Sequence, residues 1–355
     1  MDIKRSYFED VRLFDSPSQV VWTIVLVAFL AGFPFAAGSY YTYVLGYTAI
    51  HIIVALGLNI LVGYTGQVSL GHAGFFGIGA YATVLLMNKL GLPFLLALPL
   101  AAFISALFGF LLGLPALRLE GPYLAIVTLG FGLTVEVIFE KWEFFGGSNG
   151  PPVPDFPLDF GLGLSRDQNL YYLIVFLAVL AAITARNLIK TRIGRAFVAV
   201  RDSDIAASCM GVNLMYHKTL AFAVSAFYTG LAGGLFAFHL GTIDPTTFHM
   251  MLSILFLAMV VVGGISSILG SIMGAVLISL LNLKLKGLQL EDFAAIPLVG
   301  HGLAAAINSF FMETGMSNIQ FIVYGLIMIL IMIFEPLGLY GFWIRAKTYW
   351  KTWPF

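Results

Sequence analysis

Six polar side chains stand inside long apolar stretches of this 355-residue sequence: Gln67, Ser69, His72, Thr128, Glu136 and His239. Polar groups at membrane depth are functional candidates by default. An imidazole or carboxylate there could relay protons. A hydroxyl or amide could line a solute path, or satisfy backbone groups where a helix breaks. An unpaired carboxylate at the bilayer centre costs on the order of 2.5–3.5 kcal/mol, so Glu136 faces a cavity or lies near the outer interface. His72 reads more simply as a packed, hydrogen-bonded histidine than as a relay, and Gln67 and Ser69 as groups that serve a helix break. Covalent chemistry finds little support. There is no H-E-x-x-H and no G-x-S-x-G. No G-x-x-x-x-G-K-[ST] phosphate loop occurs, so the chain does not bind ATP by that route. Cys209 is the only cysteine, which excludes an intramolecular disulfide and any CxxC motif. An intramembrane enzyme would need a convergent nucleophile and base, and His72 and His239 are far apart in sequence. A gradient-driven carrier would need paired ionisable groups at midplane, where only Glu136 and two isolated histidines are found.

The elements that must position these groups are apolar helices. Hydrophobic residues make up 60% of the chain and charged residues 10%, against about 25% charged in soluble domains; mean hydropathy is +0.95. No Asp, Glu, Lys or Arg occurs between Asp15 and Lys89, room for about three crossings at roughly 20 residues each. The apolar runs predict ten spans, near 18–37, 42–62, 69–87, 93–114, 122–140, 169–188, 219–240, 248–264, 267–283 and 319–341. The fold class expected is an all-α integral membrane protein, a polytopic bundle of about ten transmembrane helices. The third and eighth spans are weak. Gly63–Gly79 is rich in glycine and small polar residues, which suggests a broken or re-entrant helix, tolerated only where protein or a water-filled cavity covers it. The first run, Val20–Gly38, reads as an uncleaved helix rather than a signal peptide. With both termini cytoplasmic and the spans alternating, only Lys89, Lys141, Arg166, Lys284 and Lys286 of the 18 Lys and Arg residues fall outside, in agreement with the positive-inside rule. The formal net charge is zero, so nothing points to nucleic acid. Gly230 with Gly234, and Gly270 with Gly274, form G-x-x-x-G pairs that let helix backbones approach closely.

Two hydrophilic stretches stand out. Residues 141–168, on the outer side, carry Gly146-Gly147-Ser148-Asn149-Gly150-Pro151-Pro152 and read as a solvated loop by turn chemistry. Residues 186–218, on the inner side, contain no proline and are helix-compatible throughout. Asp202 and Asp204 can start a short helix and favour its positive end. Ala206 and Ala207 leave a slim surface that can sit in a groove, and Gly211 can end the helix.

The pattern Gly194-Arg195-Ala196, followed by Asp202, Asp204, Ala206-Ala207 and Gly211-Val212, resembles the ATPase-contacting loop of ABC importer permeases. It is more closely similar to that of the branched-chain amino acid permeases of the LivM type. Gly63–Tyr81, with Gly66-Gln67, Ser69-Leu70-Gly71 and Gly77-Ile78-Gly79-Ala80-Tyr81, is similar to a second signature of that family, and Gly121–Leu129 to a third. Val261-Val262-Gly263-Gly264 with Gly270 and Gly274-Ala275 resembles its later glycine-rich motif, from which Ile265-Ser266-Ser267-Ile268 reads as an apolar insertion. Phe334-Glu335-Pro336-x-Gly338-Leu339 is also family-like. The resemblance runs from about 45 to 345.

It implies that 1–355 is a single permease domain with an ABC importer permease fold resembling type II, in the bacterial inner membrane. The implied partners are a LivH-like permease chain (a heterodimer), two ATPase subunits that hold ATP and Mg, an extracytoplasmic solute-binding protein, and lipid. This chain would bind no cofactor and catalyse no reaction. Residues 189–217 would be the cytoplasmic coupling segment, acting through Gly194, Arg195, Ala196, Arg201, Asp202, Asp204, Ala206, Ala207 and Gly211. Residues 141–168 would be an extracytoplasmic loop, and Gln67, Ser69, His72, Thr128 and Glu136 the candidate translocation path. The substrate implied is leucine, isoleucine or valine; similar permeases carry urea, short amides, other amino acids or aromatic acids.

Overall fold

A computed structural model describes residues 17–36, 38–116, 119, 121–157, 163–287 and 316–352. Among these residues there is no strand. Thirteen α-helices follow one another: α1 (Pro17–Ala36), α2 (Ser39–Asn59), α3 (His72–Leu90), α4 (Phe94–Ala116), α5 (Pro122–Lys141), α6 (Arg166–Lys190), α7 (Arg192–Asp202), α8 (Asp204–Cys209), α9 (Leu214–Leu240), α10 (Met250–Gly263), α11 (Ile268–Gly287), α12 (Met316–Phe334) and α13 (Leu339–Thr352). Helix is the structure such apolar runs must adopt in lipid, because it satisfies every backbone group within the segment. The helix ends carry their own signals. Ser165 and Gln168 form a reciprocal capping box at the start of α6, and Asn213 Oδ1 accepts from Tyr216 N–H at the start of α9.

Among the described residues six helices are long and apolar enough to cross a membrane: α2 with its terminal turn, α3, α4, α5, α6 and α9. α12 and α13, bent by 42° at Glu335–Gly338, would together make a seventh. The apolar parts of α1, α10 and α11 are shorter. The weak third run forms a full-length helix, whereas the weak eighth gives 14 residues that begin only after a turn at Pro245–Phe248.

α9 is the centre of the bundle, packed against α2, α3 and α4. Small residues permit this. A Cβ on Gly79 would lie 2.0 Å from the Gly230 carbonyl, and one on Gly234 would lie 2.4 Å from Thr83 Oγ1. α10 and α11 meet the same way: a Cβ on Gly270 would lie 2.6 Å from Gly263 O, and one on Gly274 2.0 Å from Met259 O. The outward faces of α4, α5 and α6 expose Phe103, Ile126 and Phe176, as lipid or a partner helix requires.

The segments assigned by alternation to one side do gather at one end. Gly63, Arg201 and Ser266 touch there, and Gly264 packs on Gly338. At the opposite end the loop after α5 folds over the bundle and is not a solvated linker. Lys89 Nζ sits 3.4 Å over the Phe144 ring and donates to Phe144 O. Asn88 Nδ2 donates to Pro152 O at 2.7 Å, and Phe156 packs on Phe94 and Phe238. Its turn residues join in: a Cβ on Gly150 would lie 1.8 Å from Ile243 O.

Candidate functional site

The break expected in Gly63–Gly79 is shorter than that range. α2 ends in a π turn at Ile60–Tyr64, a form that concentrates at functional sites. The unwound stretch then runs only from Gly66 to Gly71, and α3 begins at His72. The later glycines of the run serve close packing inside α3. The unwound backbone lies deep in the bundle, and side chains from neighbouring helices serve it. Leu70 N–H donates to Thr128 Oγ1 of α5 at 3.0 Å. Ala73 N–H donates to Ser253 Oγ of α10 at 2.8 Å. The single O–H of Ser105 on α4 lies within reach of two carbonyls, Phe75 O at 3.1 Å and Ala226 O at 2.9 Å.

His72 is fully buried. Its Nδ1 lies 3.0 Å from Ser69 Oγ and its Nε2 2.7 Å from Ser225 Oγ of α9. A neutral imidazole offers one donor and one acceptor, and each hydroxyl can take either role, so both ring nitrogens are satisfied without charge. Ser225 is near the middle of the 27-residue α9, which places this chain at mid-bundle depth. Gln67 is 5% exposed, and its Nε2 donates to Thr65 Oγ1 at 3.1 Å. Ser69 and His72 are thus bonded directly and Thr128 holds the N–H of Leu70 between them, whereas among the described residues the side chain of Gln67 bonds only its neighbour Thr65. Glu136 lies apart from these. It sits half-buried five residues from the C-terminal end of α5, about 8 Å along the axis, toward the loop-covered end. His239 is at that end too, stacked on Tyr43 with centroids 4.2 Å apart.

At the other end the inner hydrophilic stretch forms two helices. α7 is amphipathic: Phe197 and Val200 are buried, while Arg195 is exposed and its Nη1 donates to Lys190 O at 3.0 Å. Gly194 is required by the tight passage from α6, since a Cβ would lie 2.3 Å from Ile189 O. Ala196, on the same turn, is half-buried. Asp202 closes α7 and does not start α8. Ser203 caps α8, its Oγ accepting from Ala206 N–H at 3.2 Å. Asp204 in the first turn of α8 pairs with Lys218 of α9. Gly211 ends α8 at φ +82. Its N–H donates to Ser208 O, and Val212 N–H donates to Ala207 O, a complete Schellman stop. Of the two alanines, Ala207 packs inward and Ala206 faces out beside Ile205 and Met210, which are 78% and 85% exposed.

Arg201 joins the two regions. Its Nε and Nη2 donate to Asp202, and its Nη1 donates to Gly63 O at 3.2 Å and to Ser266 Oγ at 2.6 Å. Ser266 Oγ also donates to Gly63 O at 2.6 Å, and Ser266 N–H donates to Asn59 Oδ1 at 3.0 Å. Asn59 Nδ2 donates to Ser267 O at 3.0 Å. Thus α7, the π turn of α2 and the α10–α11 turn share one polar junction. Ser266 is the one non-glycine residue with positive φ (+64) among the described residues. Gly263 to Ala275 reads G-G-x-S-S-x-x-G-x-x-x-G-A, so Ser266 falls at the third glycine of the motif G-G-x-G-[ST]-x-x-G-x-x-x-G-A that the stretch resembles, and the spacing to Gly270 and Gly274 is the same. The departure read as an insertion is a substitution in register. Beside the junction lies a cleft of about 390 Å³, bordered by Gln67, Leu124, Val200, Arg201, Asp204 and Lys218.

A buried polar break, tied through an arginine to a helix pair with an exposed apolar tip, is what the sequence resemblance leads one to expect, and the family comparison decides it. The family described as branched-chain amino acid transport system / permease component matches residues 40–332. The chain belongs to this permease family. Among its relatives is the high-affinity branched-chain amino acid transport system permease protein LivM of Salmonella typhimurium, 37% identical over 73% of this chain and 67% of that protein. The probable LivH permease of Methanocaldococcus jannaschii is 24% identical over 86% of this chain and 93% of that one. The ribose import permease RbsC of Haemophilus influenzae is 24% identical over 70% and 78%. No solved structure matches the chain. The matched region of this permease includes the break and the whole α7–α8 segment. Sequence reasoning missed Asn59, Ser105, Ser225, Ser253 and Ser266; the only signal was a small polar residue recurring in otherwise apolar helices.

Proposed function

We propose that this chain is one permease subunit of an ATP-driven importer for branched-chain amino acids in the bacterial inner membrane, both termini cytoplasmic. In this reading α1, α10, α11 and the bent α12–α13 pair complete ten passages of a type II-like importer fold. The chain pairs with a LivH-like permease, two ATPase subunits carrying ATP and Mg bind the inner face, and an extracytoplasmic solute-binding protein docks near the loop after α5. The observation that carries the reading is the α7–α8 pair. It offers a slim, capped helix with Ile205, Ala206 and Met210 exposed, while Arg201 ties its base to the broken helix. Closure of the ATPase dimer would push α8. Arg201 would pass that displacement to Gly63 and Ser266, and so to the unwound segment carrying Gln67, Ser69 and His72. Alternating access follows if that segment moves relative to Thr128. Urea, short amides or aromatic acids stay open as substrates of the same machine, since selectivity can reside in the binding protein.

The test is purification in mild detergent with a tag on this chain. The assembly should bring down a second permease and an ATPase, and Ala206→Trp should lose the ATPase alone. Solute movement by the lone chain in ATP-free vesicles under an ion gradient would overturn the proposal.

A further inference from the structure

The cleft beside the Arg201 junction has unused hydrogen-bonding capacity of two kinds. Its volume of about 390 Å³ falls in the range of about 300–1,000 Å³ usual for small-molecule sites. Lys218 is 8% exposed, yet its ammonium has a single partner among the described residues, one oxygen of Asp204. An ammonium carries three donors, so two are unclaimed. A guanidinium has five N–H groups; four on Arg201 are committed, leaving one. These donors suit a carboxylate. The second Asp204 oxygen and the buried Gln67 Oε1, which has no hydrogen-bond partner, are acceptors and suit an ammonium. Leu124 and Val200, each 3% exposed, give the wall apolar character. Burying an unpaired polar atom costs free energy; of these groups that cost falls on Gln67 Oε1 among the described residues, and a ligand that reaches it removes the cost.

We propose that this cleft is a binding site for a free zwitterionic amino acid with an aliphatic side chain, reached from the α7–α8 end. A ligand held between Gln67, on the unwound segment, and Asp204, on α8, pins the two together and resists their relative motion. An importer that accumulates its own substrate would thereby be slowed by it. This rests on the importer reading above.

The test uses the assembled importer in proteoliposomes, labelled without binding protein and assayed for ATP-driven leucine uptake with binding protein present. Leu119, which borders the cleft on the chain before α5 and is not part of the α8 tip, is replaced by cysteine in a Cys209→Ser background, and the rate of maleimide labelling is followed. L-Leucine should slow labelling at least fivefold. Isovalerate and isoamylamine, which each carry half of the zwitterion, should not. Gln67→Leu should weaken protection about fivefold, the worth of one hydrogen bond. Leu124→Phe, which narrows the cleft without touching a polar group, should weaken it too and guards against a Gln67 variant that fails to assemble. Protection by none of the three compounds, by all three alike, or by inorganic phosphate instead would overturn the proposal. If labelling is unprotected while ATP-driven leucine uptake persists, the cleft assignment alone fails. Protection without such uptake leaves the cleft standing and removes the importer reading.

Discussion

Arg201→Ala should uncouple the importer without dismantling it. The side chain reaches inward to Gly63 O and Ser266 Oγ, whereas the surface offered to a partner is Ile205, Ala206 and Met210. The pair with Asp202, which is 62% exposed, contributes about 0–1 kcal/mol at most. The two contacts across the junction involve a charged donor, each worth about 1.5–3 kcal/mol when buried. Arg201 is one-third exposed, so together they are taken at about 1.5–2 kcal/mol. Gly63 O keeps its bond from Ser266 Oγ, so truncation leaves no orphaned carbonyl. At 1.36 kcal/mol per tenfold, the substrate-stimulated part of ATP hydrolysis should fall roughly ten- to thirtyfold. ATPase co-purification should stay at the wild-type level. In a double-mutant cycle with Ser266→Gly, part of this loss should be shared, because both residues serve one junction. The reasoning fails if Arg201→Ala strips the ATPase as completely as Ala206→Trp, or if stimulation by substrate is unchanged.

Three further outcomes follow from the geometry. His72→Ala leaves the Ser225 hydroxyl without its partner, leaves Ser69 Oγ only the N–H of Gly71 and opens a cavity; a loss of about 3 kcal/mol is expected, read as a drop in thermal stability of purified protein. Gly79→Leu drives side-chain atoms into the Gly230 backbone and should abolish a monodisperse peak in size-exclusion chromatography, whereas Gly130→Ala, with nothing within 4 Å of its Cβ, should be within about 0.5 kcal/mol of wild type. Gly211→Ala must adopt positive φ at a cost of about 1–2 kcal/mol; because α8 is exposed, the bundle's melting point should hold while affinity for the ATPase falls about fivefold or more.

The helical class and the stop at Gly211 were legible because each follows from local chemistry: long uncharged runs, and glycine past a short helix. The extent of the break was not. Glycines at 66 and 71 flank unwound chain, while those at 74, 77 and 79 serve close packing in α3, and composition cannot separate the two uses. The junction was invisible because Asn59 and Ser266 are 207 residues apart. Aspartates at 202 and 204 both suit the positive end of a helix, which hides the start of α8: the serine between them makes the cap. The glycines of the loop after α5 signal turns, but not that Gly150 and Phe156 lie against the bundle.

The backbone contact between α10 and α11 has a mechanical consequence. Where a Cβ would meet the opposing backbone at 2.0–2.6 Å, no side chains intervene to let one helix slide on the other, so the pair turns as a single plate. Ser266, to which Arg201 donates, sits at the plate's edge. α11 has 20 residues, an arm of about 30 Å, and a tilt of about 5° at the junction would sweep its far tip by roughly 2.6 Å over that arm. A short push at one edge is thus geared up into a wider sweep at the other.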